Sequence, residues 1–495
     1  MSGYTKKAVR GAGILFSMSV LSYFLGYVLR LFIANEFGTY YYGLVYAILA
    51  LFGVFSIFME LGLRSALIKY IAEFRVENKL GEIKGSIIIV LLLKLLLSGI
   101  ICGVLILFSD QIAIGYFKTS EASILIKIYG VGIIFSAIIA TLESSFLGFQ
   151  SMKYCSSTDI VKSLIVLFIT FPLLYLGFGV MAPILGFATS FILTPLIYFP
   201  LLIKRVFPEF LKVKADLSRP LVKKLFRFGV PVTLTGLAGI VFGYTDTLIL
   251  TYFTTLNEVG LYNAALPTMK LITVMGGAML SVVFPMSSEL WTRNKKKQIV
   301  LGLGMIYKYA VIMVFPIVLS MFLFPDIILG ILFGGEFKQA GGVLRILALG
   351  YFLNTFTGVN NSALSGIGKP GEVSRIMFSG AGVNLVLNLI LIPSYGMEGA
   401  AFSTLIAFIL IFVLSTWKIG RYVPFIIPWR DFCVIGLSGV LITGVAYLIA
   451  MVEFLDIWIK LAVTLITGGI LYVSILFLSK TLTIQDIKEI INRVK

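Results

Sequence analysis

The stretch that decides the fold runs from Phe37 to Glu73 and reads FGTYYYGLVYAILALFGVFSIFMELGLRSALIKYIAE. A short turn leads into a Gly-Leu-Val-Tyr-Ala sequence that begins at Gly43, a long apolar run follows, and the exit is basic. A weaker copy begins 217 residues later, at Gly260, and it also continues into a long apolar run with a polar exit. Two matched copies predict two bundles, each built around one of them.

Composition places both bundles in a membrane. Hydrophobic residues make up 59% of the 495 positions and charged residues 13%, whereas soluble domains carry about 25% charged residues. Runs of about 20 apolar residues are long enough to span the hydrocarbon layer as helices. Transmembrane strands would be shorter and would alternate in polarity, so we predict an all-α polytopic membrane protein. Fourteen spans are predicted: 11–34, 41–63, 85–109, 122–149, 157–177, 180–203, 226–250, 260–285, 300–324, 342–366, 376–393, 397–417, 432–452 and 457–478.

The basic residues between the spans predict the orientation. With the N-terminus in the cytoplasm, Lys118 and Lys338 are the only lysines or arginines in the predicted external loops. This is the positive-inside pattern, and it predicts that both termini are cytoplasmic. It also accounts for the net charge of +17 as a basic surface beside anionic lipid. Nucleic acid is not an expected partner, because the charge is spread over many short segments.

The chain lacks the residues that metal binding, cofactor binding and glycosyl transfer usually require. The chain has no histidine, and its cysteines, Cys102, Cys155 and Cys433, lie far apart, so we predict no metal site and no cofactor. A membrane glycosyltransferase or ligase is the alternative from another class. It is disfavoured because no Asp-x-Asp motif and no large external loop occur. The basic and then apolar N-terminus is read as an uncleaved first span.

The repeat organises the chain. Six predicted spans separate equivalent points, so both halves enter the membrane in the same direction, as in parallel-repeat transporters that bind substrate between their halves. We predict an N-lobe at 1–203 (spans 1–6), a basic cytoplasmic linker at 204–227 and a C-lobe at 228–417 (spans 7–12). Residues 418–478 form two appended spans, 13 and 14. The tail at 479–495 is predicted to be an amphipathic cytoplasmic helix, with Ile487 and Ile491 on its apolar face.

The opening stretch, with Gly26 and Arg30 before it and ELGLRSALIKYIAE at its end, resembles the N-terminal signature of polysaccharide transporters. These proteins, which include Wzx-type flippases, belong to the multidrug/oligosaccharidyl-lipid/polysaccharide exporter superfamily. The resemblance implies two six-helix lobes with spans 1, 2, 7 and 8 lining a central cavity. It also implies a flippase, not an enzyme, in the cell membrane of a bacterium or archaeon. The expected substrate is a polyprenyl-(pyro)phosphate-linked oligosaccharide for surface polysaccharide or glycan biosynthesis. Expected partners are membrane lipids and a glycan polymerase or glycosyltransferases of the same pathway.

Two relatives within the superfamily remain alternatives. A cation-coupled multidrug antiporter is expected to carry N-lobe carboxylates, but spans 1 and 2 supply only Glu60, and the deepest charges are cationic. This balance favours an anionic substrate. A lipid II flippase is expected to carry extra arginines in spans 1 and 2, where Tyr23 and Phe55 stand instead.

Charges within the spans are the candidate site residues, because each one costs about 2.5–3.5 kcal/mol at the bilayer centre. Lys270 and Lys94 are the deepest, and an ammonium group suits a pyrophosphate. The other candidates for binding substrate in the cavity are Arg30, Arg64, Asn360 and Asn361. Each has a structural alternative: Lys94 could face lipid, and the asparagines could bridge helices.

Arg30 and Asp246 are candidates for a gate. They lie at nearly equivalent depths, Arg30 in span 1 and Asp246 in span 7. An ion pair between them would close the outer mouth; two unrelated local pairs are the alternative. Glu60 is the third candidate for gating or coupling, although it could equally form a surface pair with Arg64 one helical turn away.

Overall fold

A computed structural model describes residues 3–424, 429–451 and 457–482, and within these ranges the chain is helical and contains no strand. Helices satisfy their own backbone hydrogen bonds, which lipid cannot do. Ten helices among the described residues are long and apolar enough to cross a membrane. The prediction of an all-helical polytopic membrane protein is therefore confirmed.

Before residue 204 the described residues form seven α-helices, which are α1 (Gly3–Glu60), α2 (Leu63–Val76), α3 (Leu80–Leu107), α4 (Ser109–Gly115), α5 (Glu121–Gly148), α6 (Met152–Tyr175) and α7 (Met181–Leu201). A π-helical turn (Leu202–Val206) and a 3₁₀ turn (Pro208–Leu211) follow α7.

After residue 204 the described residues form α8 (Arg219–Ile240), α9 (Asp246–Phe253), α10 (Leu256–Thr292), α11 (Lys296–Leu323), α12 (Pro325–Phe333), α13 (Gly341–Gly366), α14 (Pro370–Tyr422), α15 (Trp429–Ala450) and α16 (Ile457–Leu478). A π-helical segment (Val241–Thr245) joins α8 to α9, and a 3₁₀ turn (Gly335–Ala340) precedes α13.

Two of these helices are broken by a glycine. Gly38 within α1 has φ 68° and ψ −173°, and Gly396 within α14 has φ 51° and ψ −133°. A positive φ is accessible to glycine at little cost, because glycine has no Cβ. Both breaks fall between predicted spans, so α1 holds predicted spans 1 and 2, and α14 holds predicted spans 11 and 12.

The inner end of the second span differs from the prediction. The span was expected to reach residue 63, but α1 ends at Glu60 and α2 begins at Leu63 after a turn at Gly62, where φ is 64°. Because this turn interrupts the helix, Glu60 and Arg64 do not form the i, i+4 surface pair that one continuous helix would give.

The segment predicted as a basic linker packs against the helices around it. Phe207 joins the buried cluster around Phe74 of α2. The Asp216 N–H donates to the Gly81 carbonyl at 3.0 Å, and Lys84 Nζ donates to the Val213 carbonyl at 2.8 Å. The segment is therefore tied to α2 and α3.

The chain divides into two compact units. Unit 1 comprises Met1–Pro267, Leu329–Val343 and Met377–Thr404, and unit 2 comprises Thr268–Ile328, Leu344–Ile376 and Leu405–Lys495. In unit 2, α15 and α16 pack on α11: Gly439 lies against the Phe315 ring, and the Tyr472 hydroxyl donates to the Ile312 carbonyl at 3.0 Å. Residues 483–495, which carry most of the predicted amphipathic tail, lie outside the described residues.

Candidate functional site

The two copies of the opening stretch meet at their equivalent glycines. A Cβ atom added at Gly43 would lie 2.0 Å from the Leu256 carbonyl oxygen, and one added at Gly260 would lie 2.0 Å from the Thr39 carbonyl oxygen. Beside them, Thr39 Oγ1 donates to Asn257 Oδ1 at 3.0 Å. The two approaches are reciprocal, because Thr39 and Leu256 are separated by the same 217 residues as Gly43 and Gly260. We call this backbone approach the outer contact.

A second close contact between backbones joins the C-terminal end of the second predicted span, at Gly62, to Gly229 of α8. A Cβ atom at Gly62 would lie 2.0 Å from the Gly229 carbonyl oxygen, and one at Gly229 would lie 2.9 Å from the Leu61 carbonyl oxygen. Nearby, Lys224 of α8 pairs with Glu73 of α2 at 2.7 Å. We call this approach the inner contact. Both contacts lie within unit 1 and depend on glycines with no side chain.

Arg30 is held within its own helical hairpin, formed by the two halves of α1. Its Cζ lies 3.9 Å from the centroid of the Tyr46 ring, and its Nη1 is 3.5 Å from the Tyr42 hydroxyl. The Tyr42 hydroxyl in turn donates to the Asn263 carbonyl of α10 at 3.1 Å. The guanidinium therefore rests on an aromatic platform that also connects the two repeats.

Asp246 lies one residue before the position in the second repeat that is equivalent to Arg30, and it is buried, with 4% of its surface exposed. Its carboxylate accepts hydrogen bonds from the Tyr262 hydroxyl at 2.5 Å, Asn388 Nδ2 at 2.6 Å and Thr404 Oγ1 at 2.8 Å. Asn384 also belongs to this cluster, since its Nδ2 donates to Thr404 Oγ1 at 3.2 Å. A buried carboxylate surrounded by neutral groups is a costly arrangement, and such arrangements concentrate at functional sites.

The predicted ion pair between Arg30 and Asp246 is not formed in this structure. Each side chain instead contacts the tyrosine sixteen residues after it, Tyr46 for Arg30 and Tyr262 for Asp246. At the repeat offset of 217 the residues equivalent to Arg30 and Tyr46 are Thr247 and Asn263, which are hydrogen-bonded to each other at 3.3 Å; the Asp246–Tyr262 contact lies one residue before them. Both charged groups are held by neutral side chains, Arg30 by tyrosines and Asp246 by Tyr262 and the polar groups of α14, and a gating role for the two charges remains a prediction.

Lys94 and Glu60 form an ion pair, with Lys94 Nζ 3.1 Å from Glu60 Oε1. The Lys94 side chain is 1% exposed and that of Glu60 is 36% exposed. Lys94 therefore does not face lipid, which was one alternative from the sequence. Burial of the ammonium in a membrane span requires a partner, and Glu60 supplies it.

Unequal burial of this pair gives a testable asymmetry. The variant Glu60→Gln leaves a buried ammonium without a carboxylate, and we expect it to cost about 3 kcal/mol, the low end for breaking a buried ion pair. The variant Lys94→Met leaves a carboxylate that reaches solvent, and we expect a loss of about 1 kcal/mol or less. Thermal unfolding of the purified protein measures both, and the double variant should recover most of the loss. Glu289→Gln, at an exposed pair with Arg293, is the control; equal losses at positions 60 and 94 would contradict the asymmetry.

Arg64 belongs to a neighbouring network centred on Glu143 of α5. Arg64 Nη1 lies 3.3 Å from one Glu143 oxygen, and Lys162 Nζ lies 3.3 Å from the other, which also accepts from Thr158 at 3.0 Å. Lys162 pairs with Asp159 as well, at 2.6 Å. The cations of this network are matched by carboxylates, and the partner of Arg64 is Glu143 instead of Glu60.

The remaining candidates lie in unit 2. Asn360 is buried; its Oδ1 accepts from the Tyr307 hydroxyl at 2.8 Å, and its Nδ2 lies within 3.1 Å of Ser415 and Thr416. It thus joins α11, α13 and α14. Asn361 and Lys270 are half-buried, Asn361 on α13 and Lys270 in the middle of α10.

Sequence inspection missed the partners of Asp246. Asn384 and Asn388 are four residues apart on α14 and therefore share one helix face, which was a usable signal. Nothing local showed that this face meets Asp246, which is 142 residues away from Asn388.

The comparisons with known proteins agree with this architecture. The family model described as polysaccharide biosynthesis protein matches residues 8–291, and the MatE model matches residues 231–390. An uncharacterized membrane protein of Methanocaldococcus jannaschii is 31% identical, and the match covers 99% of each chain. The probable low-salt glycan biosynthesis flippase Agl15 of Haloferax volcanii is 25% identical over 92% of each chain.

A solved structure shares the fold. The lipid II flippase MurJ in an inward closed conformation superposes with a TM-score of 0.75 at 18% identity, covering 93% of this chain and 98% of that one. The family resemblance read from the opening stretch is confirmed by the matching model, which covers more than half of the chain. The chain belongs to the polysaccharide biosynthesis protein family of the multidrug/oligosaccharidyl-lipid/polysaccharide exporter superfamily.

Proposed function

We propose that this protein is a flippase that moves a polyprenyl-(pyro)phosphate-linked oligosaccharide across the cell membrane of a bacterium or archaeon. The observation that carries the proposal is the family match over residues 8–291, supported by a relative named as a glycan biosynthesis flippase along nearly its whole length. We assign it as a transporter and not as an enzyme. Its partners would be membrane lipids and glycan polymerases or glycosyltransferases of the same pathway.

The proposed architecture has fourteen spans, with an N-lobe at 1–203, a linker at 204–227, a C-lobe at 228–417 and appended spans at 418–478. Both termini would face the cytoplasm. The paired spans within α1 and within α14 support this count. The N-terminus of α10 and the glycine break of α1 would then face outward, and Gly62 and Gly229 would lie near the cytoplasm.

Alternating access follows from the two backbone contacts. A substrate can leave outward only if the outer contact at Gly43 and Gly260 opens, and it can enter from the cytoplasm only if the inner contact at Gly62 and Gly229 opens. Backbone atoms in direct contact have two discrete arrangements, touching or apart. They therefore suit a two-state switch better than flexible side chains do.

The proposed substrate contacts are cationic and amide groups. Lys270, Lys94, Arg30 and Arg64 are the candidates for the pyrophosphate, and Asn360 and Asn361 are the candidates for sugar hydroxyls. Among the cations, Lys94 is already neutralised by Glu60 and Arg64 by Glu143. Arg30 is held by tyrosines, which leave its positive charge uncompensated. This difference supports Arg30 as the stronger phosphate ligand of these three residues.

Asp246 is the proposed coupling residue, with Glu60 as the second candidate. A carboxylate buried among hydroxyl and amide groups gains stability by taking up a proton or a small monovalent cation, because either one removes an uncompensated buried charge. Its position within the second repeat would allow uptake to bias the repeat towards one arrangement.

A cation-coupled multidrug antiporter is the second candidate function. The specific observation that favours it is the MatE model match over residues 231–390, which includes Asp246. A lipid-linked glycan remains our first choice, since the polysaccharide biosynthesis model covers the longer part of the chain.

Deletion of the gene tests the proposed function. We expect lipid-linked oligosaccharide to accumulate on the cytoplasmic face, where an impermeant periodate or lectin reagent added outside cannot reach it. Re-expression of the wild-type chain should release the accumulated lipid. Deletion without such accumulation, but with increased drug sensitivity, would instead support the antiporter.

A further inference from the structure

A groove of about 470 Å³ lies at the end of unit 1 beside the outer contact. It is bounded by the glycine break of α1, the start of α10 and the 3₁₀ turn before α13. Small-molecule sites usually measure about 300–1,000 Å³ and combine aromatic walls with a few polar groups. The volume of this groove falls within that range, and none of the transport steps above uses it.

Three aromatic rings form one wall of the groove, those of Phe37, Tyr40 and Tyr41. The Tyr40 and Tyr41 rings are edge to face, with centroids 5.1 Å apart and an angle of 84°, and the Phe37 and Tyr41 rings meet at 70°. All three side chains are half-buried. Packing fixes their orientations while part of each ring stays accessible, so the wall offers a preformed apolar surface.

The groove is also lined by polar groups with unused hydrogen-bonding capacity. Glu336 Oε2 accepts from the Thr39 N–H at 3.2 Å, which leaves Oε1 as a free acceptor. Asn257 Oδ1 accepts from Thr39 Oγ1, which leaves its amide N–H groups as donors. Gln339 is exposed and supplies one donor group and one acceptor. The groove therefore provides both hydrogen-bond donors and hydrogen-bond acceptors.

The composition of the groove selects the ligand class. No lysine or arginine is among the described residues that line it, and Glu336 would repel a phosphate or other anion. One carboxylate alone is a poor metal site. A purely apolar ligand would make no use of Glu336 Oε1, the Asn257 amide N–H groups or the Gln339 amide. A neutral sugar fits, because its ring presents an apolar C–H face to aromatic rings and its hydroxyls both donate and accept.

We propose that this groove binds a sugar residue of the translocated glycan on the outer face of the membrane. The proposal rests on the proposed function for the identity of the sugar and on the proposed orientation for the face. A hydroxyl bound to Glu336 Oε1 would lie beside the outer contact, because the other oxygen of the same carboxylate holds the Thr39 N–H. Sugar capture would thus be linked to the position of the first hairpin.

Saturation-transfer NMR on the full chain in nanodiscs tests the groove. The probe is the free glycan released by mild acid from the host's lipid-linked oligosaccharides. We expect transfer from the protein to the C–H protons of one sugar residue in the wild type, and at least a fivefold loss in Tyr40→Leu and in Gln339→Ala. The matched controls are Tyr175→Leu, at a side chain that is 96% exposed, and Gln111→Ala, at an exposed position on α4; both should retain wild-type transfer.

Two results would overturn the proposal: no transfer in the wild type, or equal transfer in the groove variants and the wild type. Unchanged thermal unfolding of each variant shows that loss of transfer is not loss of fold. The free glycan carries no lipid, so binding is measured without transport. If the protein binds the free glycan but does not flip its lipid-linked form, the proposed function is refuted, and the proposal that the groove binds sugar is still supported.

Discussion

Replacing Gly43 with alanine is expected to reduce transport about fivefold or more in the deletion strain. The added Cβ would lie 2.0 Å from the Leu256 carbonyl oxygen, so the two backbones must move apart by about 1 Å or more to reach an ordinary contact. Overpacking of this kind costs about 1–3 kcal/mol. A penalty that falls on only one of two alternating states changes their ratio by about tenfold for each 1.4 kcal/mol.

Gly260→Ala tests the same contact from the second repeat, because its Cβ would lie 2.0 Å from the Thr39 carbonyl oxygen. Gly43→Ala and Gly260→Ala should reduce transport by similar factors. The double variant should lose less transport than two independent effects would give, because both substitutions act on the same contact. Gly26→Ala is the matched control on α1, since nothing lies within 4 Å of its added Cβ. The measurement is the amount of lipid-linked oligosaccharide left at the cytoplasmic face, normalised to protein in the membrane. Wild-type transport by Gly43→Ala would show that the outer contact does not close during the cycle.

The variant Asp246→Asn is expected to lower transport by about a hundredfold while the fold is retained. Its shape is nearly unchanged, but its NH2 group must replace either the oxygen that accepts from Asn388 or the oxygen that accepts from Tyr262 and Thr404. One donor therefore faces another donor, and the neutral amide cannot take up a proton. We therefore expect the residual transport to be independent of an imposed ion gradient. Asp110→Asn is the control, because Asp110 is 69% exposed and pairs with Lys127.

Exchange of the two partners sharpens this test. Asn388 Nδ2 lies 2.6 Å from Asp246 Oδ1, so Asp246→Asn combined with Asn388→Asp keeps one carboxylate in the same cluster. Partial recovery of transport and of gradient dependence is expected if the cluster needs its negative charge. Full activity in Asp246→Asn alone would remove Asp246 from any coupling role.

The membrane helices and the internal repeat could be predicted because both depend on short stretches of sequence. Apolar length identifies membrane helices, and the copy at Gly260 could be recognised because it keeps the Gly-Leu sequence of Gly43. The breaks at Gly38 and Gly396 fall in the gaps between predicted spans, although the sequence analysis did not predict which residue forms each break. What the repeat did not reveal is that its two equivalent glycines touch.

The partners of the buried charges could not be predicted. Glu60 and Lys94 are 34 residues apart, and which faces of their helices meet depends on packing angles that the sequence does not encode locally. Equal depth on repeated spans likewise does not specify the direction of a side chain, so the gate between Arg30 and Asp246 stays a prediction. The structure shows instead two parallel charge–tyrosine contacts with the same spacing of sixteen residues.

The most direct measurement of the central claim is translocation by the purified protein. The wild-type chain would be reconstituted into liposomes with a lipid-linked oligosaccharide isolated from the deletion strain. Accessibility of the glycan to an impermeant glycosidase would then be followed with time. We predict that the protected half of the lipid becomes accessible in the presence of wild-type protein and stays protected with Gly43→Ala or Asp246→Asn. The proposed function would be contradicted if liposomes with and without the wild-type protein protected the same fraction of the lipid, whether or not an ion gradient is imposed.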